Sequence, residues 1–88
     1  MIRQQLTIQN KLGLHTRAAA KLVDTAKRYG SHIELVFRDR NVDCKSIMSV
    51  ITLGAQKDNI LDVILTGEDE QEALLAITKL VNEKFGED

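Results

Sequence analysis

The chain has 88 residues, 43% hydrophobic and 28% charged, with 12 basic and 13 acidic side chains for a formal net charge of −1. This balance fits one small globular domain spanning residues 1–88, too apolar for disorder and too short to enclose a large cofactor. Aromatics are only 3% and there is no basic excess, which excludes a phosphate-tracking or base-stacking nucleic-acid surface.

Residues 2 to 8 alternate, with Ile2, Leu6 and Ile8 on one face and Arg3, Gln5 and Thr7 on the other, as in a half-buried strand. The N-terminus has no apolar signal core, and no apolar run is long enough to cross a membrane, so a cytoplasmic location away from membranes is expected. A loop follows from Asn10 to Gly13. From Thr16 to about Tyr29 the period lengthens, and Ala19, Leu22, Val23 and Ala26 form a helical stripe. Gly30 stands where a left-handed C-cap is expected.

Alternation returns at Ile33, Leu35 and Phe37. Asp39, Arg40 and Asn41 predict a tight turn into a short strand near Val42. Cys44, the only cysteine, rules out an internal disulfide and reads as a small residue near a strand end. Ser46 is a good N-cap for a short helix over roughly 47–53, closed by Gly54. Ile60 to Leu65 predicts a strand. The acidic run Glu68–Glu72 suits the positive start of a last helix, whose stripe is Ala73, Leu74, Ile77, Leu80 and Val81. Four strands with one apolar face each and helices with one apolar stripe each predict a two-layer α+β sandwich.

The stretch Asn10-Lys11-Leu12-Gly13-Leu14-His15-Thr16-Arg17 carries the chemistry. The free N–H groups at a helix start favour anions, phosphate above all. The same positive end disfavours an imidazolium, so His15 is expected neutral, with a lone pair able to attack a phosphoryl group. Arg17 offers a guanidinium that can hold two phosphate oxygens. Capping by His15 and simple solvation of Arg17 explain the same residues about as well on residue type alone. His32 reads as a surface histidine without a recognisable partner. No metal-ligand spacing, no phosphate-binding nucleotide loop and no paired carboxylates for acid–base work are present in the sequence.

Gly13-Leu14-His15-Thr16-Arg17 after a strand, with Lys45-Ser46-Ile47-Met48-Ser49 thirty residues on, resembles the HPr family. These are the histidine phosphocarriers of the bacterial phosphoenolpyruvate-dependent phosphotransferase system. The resemblance covers the whole chain. It implies an open-faced sandwich: a four-stranded antiparallel sheet, order 1-4-2-3, covered on one face by three helices. It implies that His15 accepts a phosphoryl group on Nδ1 from phosphorylated enzyme I and passes it to an enzyme IIA-type acceptor, assisted by Arg17. The chain would then be a stoichiometric carrier and not an enzyme, monomeric, with no cofactor and no metal.

The family usually has proline after the arginine, where this chain has Ala18. Alanine keeps an N–H that proline lacks and leaves the first turn less stiff. Ser46 aligns with a serine phosphorylated in many members by HPr kinase/phosphorylase, although helix capping alone explains a serine there. Thr16, Ala20, Ile47, Met48 and Ile51 fall where members meet their partners. Ile47 and Met48 are expected to be partly exposed, because so short a helix cannot bury every side. The competing readings are a regulatory interaction module, in a nitrogen-related or carbon-control branch and acting through docking or phospho-Ser46, and a small-molecule-binding α+β regulatory domain.

Overall fold

A computed structural model describes residues 1–87. In chain order it contains β1 (Ile2–Thr7), α1 (Thr16–Lys27), β2 (His32–Phe37), β3 (Arg40–Asp43), α2 (Ile47–Thr52), β4 (Ile60–Thr66) and α3 (Glu70–Asn82), then a 3-10 turn at Lys84–Gly86. The four strands form one antiparallel sheet in the order β1-β4-β2-β3. The expected α+β open-faced sandwich is therefore the fold observed.

Register sets the core. Ile2 pairs with Leu65, which faces Ile33 on the other side, and Leu6 pairs with Leu61. Because opposite residues share a face, these pairs stack into one apolar surface. Leu22, Val23 and Ala26 of α1, Val50 of α2 and Ala73, Ile77 and Val81 of α3 close over it. The outer face is left to polar pairs such as Arg3 with Asp62, 2.8 Å from Nε to Oδ2. His32 lies on that face, exposed as expected, and its Nε2 is 3.7 Å from Glu34 Oε1, a loose partner the sequence did not suggest. Cys44 is fully buried just past β3, and burial pushes its thiol up to about 12. Among the described residues no helix is long and apolar enough to cross a membrane.

Three local expectations need correction. The turn before β3 lies at Arg38 and Asp39, with Arg38 in the left-handed region (φ 58°), and Arg40 and Asn41 already belong to the strand. Gly30 is not a left-handed cap. Helix α1 stops at Lys27, and its end is closed by Arg28 N–H to Thr25 O and Tyr29 N–H to Ala26 O. The Gly30 N–H instead donates to Asp69 Oδ2 at 2.8 Å. Ser46 occupies the N-cap position of α2 but makes no side-chain cap; its hydroxyl pairs with Ser49 Oγ at 3.0 Å.

Asp69 explains why the α1–β2 turn needs no glycine cap. Its carboxylate accepts from Gly30 N–H, from Ser31 N–H at 3.0 Å and from the Ser31 hydroxyl. The Ser31 hydroxyl first, then the Gly30 N–H, hold the Asp69 carboxyl below its ordinary range against the opposing effect of burial. A carboxyl depressed in the folded state contributes stability above its unfolded value and loses it as pH falls through the folded one. Urea midpoints should therefore separate wild type from Asp69→Asn clearly at neutral pH. The gap should narrow below the ordinary carboxylate range, and a gap that stayed constant into acid would refute this role.

Gly13 positions the site. Its φ is +68°, and a Cβ there would sit 2.6 Å from Ala55 O and 2.8 Å from Gln56 Cα. Only glycine allows both the left-handed backbone and this approach. The loop is pinned next door by Leu14 N–H to Ala55 O at 2.9 Å, so the start of α1 is seated against the α2–β4 connection.

Candidate functional site

His15 is the N-cap of α1, with extended backbone (φ −76°, ψ 178°). Its carbonyl accepts the first helical bond from Ala19 N–H at 2.8 Å. The N–H groups of Thr16 and Ala18 have no partner among the described residues, as expected of a helix start. The N–H of Arg17 donates to His15 Nδ1, a long bond at 3.3 Å. Nδ1 is thus at the positive end of the helix, beside donors that suit an anion. The His15 side chain retains 28% of its full exposure, enough for a reacting group to reach it.

The other ring nitrogen meets a residue the sequence reading missed. His15 Nε2 lies 2.6 Å from Glu87 Oε2. An ionised carboxylate only accepts, so Nε2 carries a proton and donates. Nδ1 accepts from Arg17 N–H, which requires a lone pair there. Both contacts specify the same neutral tautomer: proton on Nε2, lone pair on Nδ1. The second Glu87 oxygen, Oε1, accepts from Asn10 Nδ2 at 3.1 Å. Burial by itself would push the Glu87 carboxyl up; hydrogen bonds from Asn10 and His15, with the electrostatic pull of His15 and Arg17, outweigh it and hold the carboxyl low.

This carboxylate changes one expectation. The helix start faces Nδ1, and the Glu87 carboxylate faces Nε2–H. The arrangement suits a ring that starts neutral and gains positive charge during a reaction.

His15, Thr16, Arg17 and Ala20 line one open depression together with Lys21 and Glu87. The Arg17 guanidinium makes no hydrogen bond or ion pair with a described side chain, so it is available to an anion entering that depression. Ser46, Ile47, Met48 and Ile51 do not line it. Ser46 stands at the N-cap of α2 and the other three lie on that helix, which packs against α1. Ile47 is 38% and Met48 67% exposed, as expected, whereas Ile51 is half-buried against the core. Leu12, on the rim beside His15, is 67% exposed and was not anticipated as part of an apolar surface.

Asn10 falls in the predicted loop, and nothing in the sequence marks it as part of the site. It is fully buried, and Nδ2 also donates to Gly13 O at 2.7 Å. Nothing local in the sequence tied Glu87 to a histidine 72 positions away.

A family model described as the phosphotransferase-system HPr component phosphorylation site matches residues 2–83. The chain is 43% identical over 88 residues to a phosphocarrier protein HPr of Xylella fastidiosa, covering 100% of this chain and 99% of that one. Among solved structures it is similar to an HPr from Thermoanaerobacter tengcongensis, with a TM-score of 0.96 and 39% identity, covering 100% of this chain and 99% of that one. It also matches an HPr dimer from the same organism, with a TM-score of 0.79 and 39% identity, covering 99% of this chain and 100% of that one.

Proposed function

Because the chain belongs to the HPr family of phosphocarrier proteins, we propose that His15 is its phosphoryl acceptor and that it acts as a stoichiometric monomeric carrier in the cytoplasm. Phosphorylated enzyme I is the donor and an enzyme IIA-type protein the acceptor. The carrying observation is the pair of contacts on one ring, Nε2 with Glu87 and Nδ1 with the Arg17 N–H, which leaves the lone pair at the helix start.

The Nδ1 lone pair attacks the phosphorus of the donor. A nitrogen–phosphorus bond forms as the donor's own bond to phosphorus breaks, and that bond's electron pair stays with the donor. No proton has to leave the ring, because Nε2 keeps its own and shares the new positive charge. The transferred oxygens meet the helix-start N–H groups and the Arg17 guanidinium, donors already aimed where the charge arrives. Delivery to the acceptor is the same reaction run outward. Thr16, Ala20, Ile47, Met48 and Ile51 form the docking surface for both partners; an exposed methionine beside aliphatic neighbours adapts to more than one shape.

Incubation with phosphoenolpyruvate and enzyme I should add one acid-labile phosphoryl group to the intact mass. No addition, or an acid-stable one, would overturn the reading. Ser46 is proposed as a regulatory site whose phosphate would place about −1.5 to −2 charges beside the docking surface. Its hydroxyl must first release Ser49. An acid-stable phosphate on Ser46 is expected only when HPr kinase/phosphorylase and ATP are supplied; labelling on another residue would count against it.

A further inference from the structure

Beyond α3 the chain does not trail away. Lys84 and Phe85 both adopt left-handed backbone, with φ of 57° and 56°, a conformation that L-residues take only when something holds them. Here the Phe85 side chain holds them, because it is fully buried in the core. Lys21 Nζ donates to Phe85 O at 2.7 Å and ties the turn to α1. Gly86, at φ 75°, reverses the chain, and Glu87 N–H closes onto Lys84 O at 2.9 Å. The whole turn delivers one carboxylate to His15.

That carboxylate is held from two sides. Oε2 accepts from His15 Nε2, and Oε1 from the buried Asn10, whose same amide nitrogen also secures Gly13 O in the loop before α1. The loop, the ring and the C-terminal turn therefore share one hydrogen-bonded network.

We infer that Glu87 is a positioning residue for the transfer reaction, carried to His15 by the Phe85 turn and aimed by Asn10, and that it fixes the ring with its lone pair at Nδ1. The inference rests on His15 being the acceptor. Without Glu87 only the long bond from Arg17 N–H to Nδ1 still favours the proton on Nε2, and the neutral ring can more readily place it on Nδ1, the atom that must attack. The carboxylate has a second effect. As Nδ1 bonds to phosphorus, positive charge spreads to the Nε2–H, which Glu87 already faces. The logic is that of a carboxylate orienting a catalytic histidine.

The full chain with Glu87→Ala and Glu87→Gln substitutions tests this. Nitrogen-15 shifts of the neutral ring read the tautomer directly and need no enzyme I. Wild type should show a single form protonated at Nε2, and Glu87→Ala a mixture of both. Phosphorylation by enzyme I should slow by on the order of 10- to 100-fold in Glu87→Ala. Glu87→Gln offers one acceptor oxygen where the network uses two, so it can accept from Nε2 only with its NH2 turned toward the Asn10 amide, and it should recover the tautomer and the rate in part. A Glu87→Ala protein with an intact amide spectrum, wild-type tautomer and wild-type rate would overturn the inference while leaving His15 as acceptor. A wild type that enzyme I cannot label would overturn the acceptor reading itself, and the tautomer would still be read separately.

Discussion

A His15→Ala variant incubated with phosphoenolpyruvate and enzyme I is expected to keep its intact mass unchanged, while wild type gains a phosphoryl group. The loss should be total, because the proposed transfer draws its bond-forming electron pair from His15, and His32, the only other histidine, sits exposed on the outer face of the sheet beside Glu34. The substitution should not unfold the chain. His15 accepts one long bond from the Arg17 N–H as an N-cap, and losing a cap costs about 1 kcal/mol. The buried residues of α1, from Ala18 to Ala26, are untouched. A thermal midpoint near that of wild type, with no labelling, would separate lost chemistry from lost fold. Labelling that persisted in His15→Ala would contradict the assignment.

Arg17→Ala should give the second largest effect, a fall of roughly 100-fold in the rate of phosphorylation. The Arg17 side chain is exposed and spends no hydrogen bond on a described neighbour, so its removal should barely change stability. It lines the same depression as His15, and its charge helps hold the Glu87 carboxyl low. Its contribution should appear only when phosphate oxygens reach the helix start. Arg17→Lys separates charge from geometry: an ammonium retains the charge but not the planar fork, so a partial recovery is expected. Rapid-mixing kinetics with enzyme I would measure all three proteins, and equal rates for wild type and Arg17→Ala would remove Arg17 from the site.

Much of this molecule was legible because its signals are local. Period-2 alternation around Ile33, Leu35 and Phe37, and helical spacing at Ala73, Ile77 and Val81, report burial on one face directly. Gly13 and Gly54 could be read as turn residues, and both have positive φ. What failed locally was decided by partners distant in sequence. Gly30 lost its predicted cap because Asp69, 39 positions away, supplies the acceptor. Ser46 is the exception, because it lost its cap bond to Ser49, three residues on. The site divides in the same way. His15 and Arg17 follow from the chemistry of a helix start, with the family resemblance adding the reaction. Glu87 reaches Asn10 and His15 only when the Phe85 turn folds back, across 77 and 72 positions of sequence.

Nitrogen–phosphorus coupling in the wild-type protein, uniformly labelled with nitrogen-15 and phosphorylated by enzyme I, would show which ring atom of His15 carries the phosphate. The bond should be found at Nδ1, facing the amino end of α1, with Nε2 still protonated against Glu87. Phosphate on Nε2, or on any residue other than His15, would contradict the account.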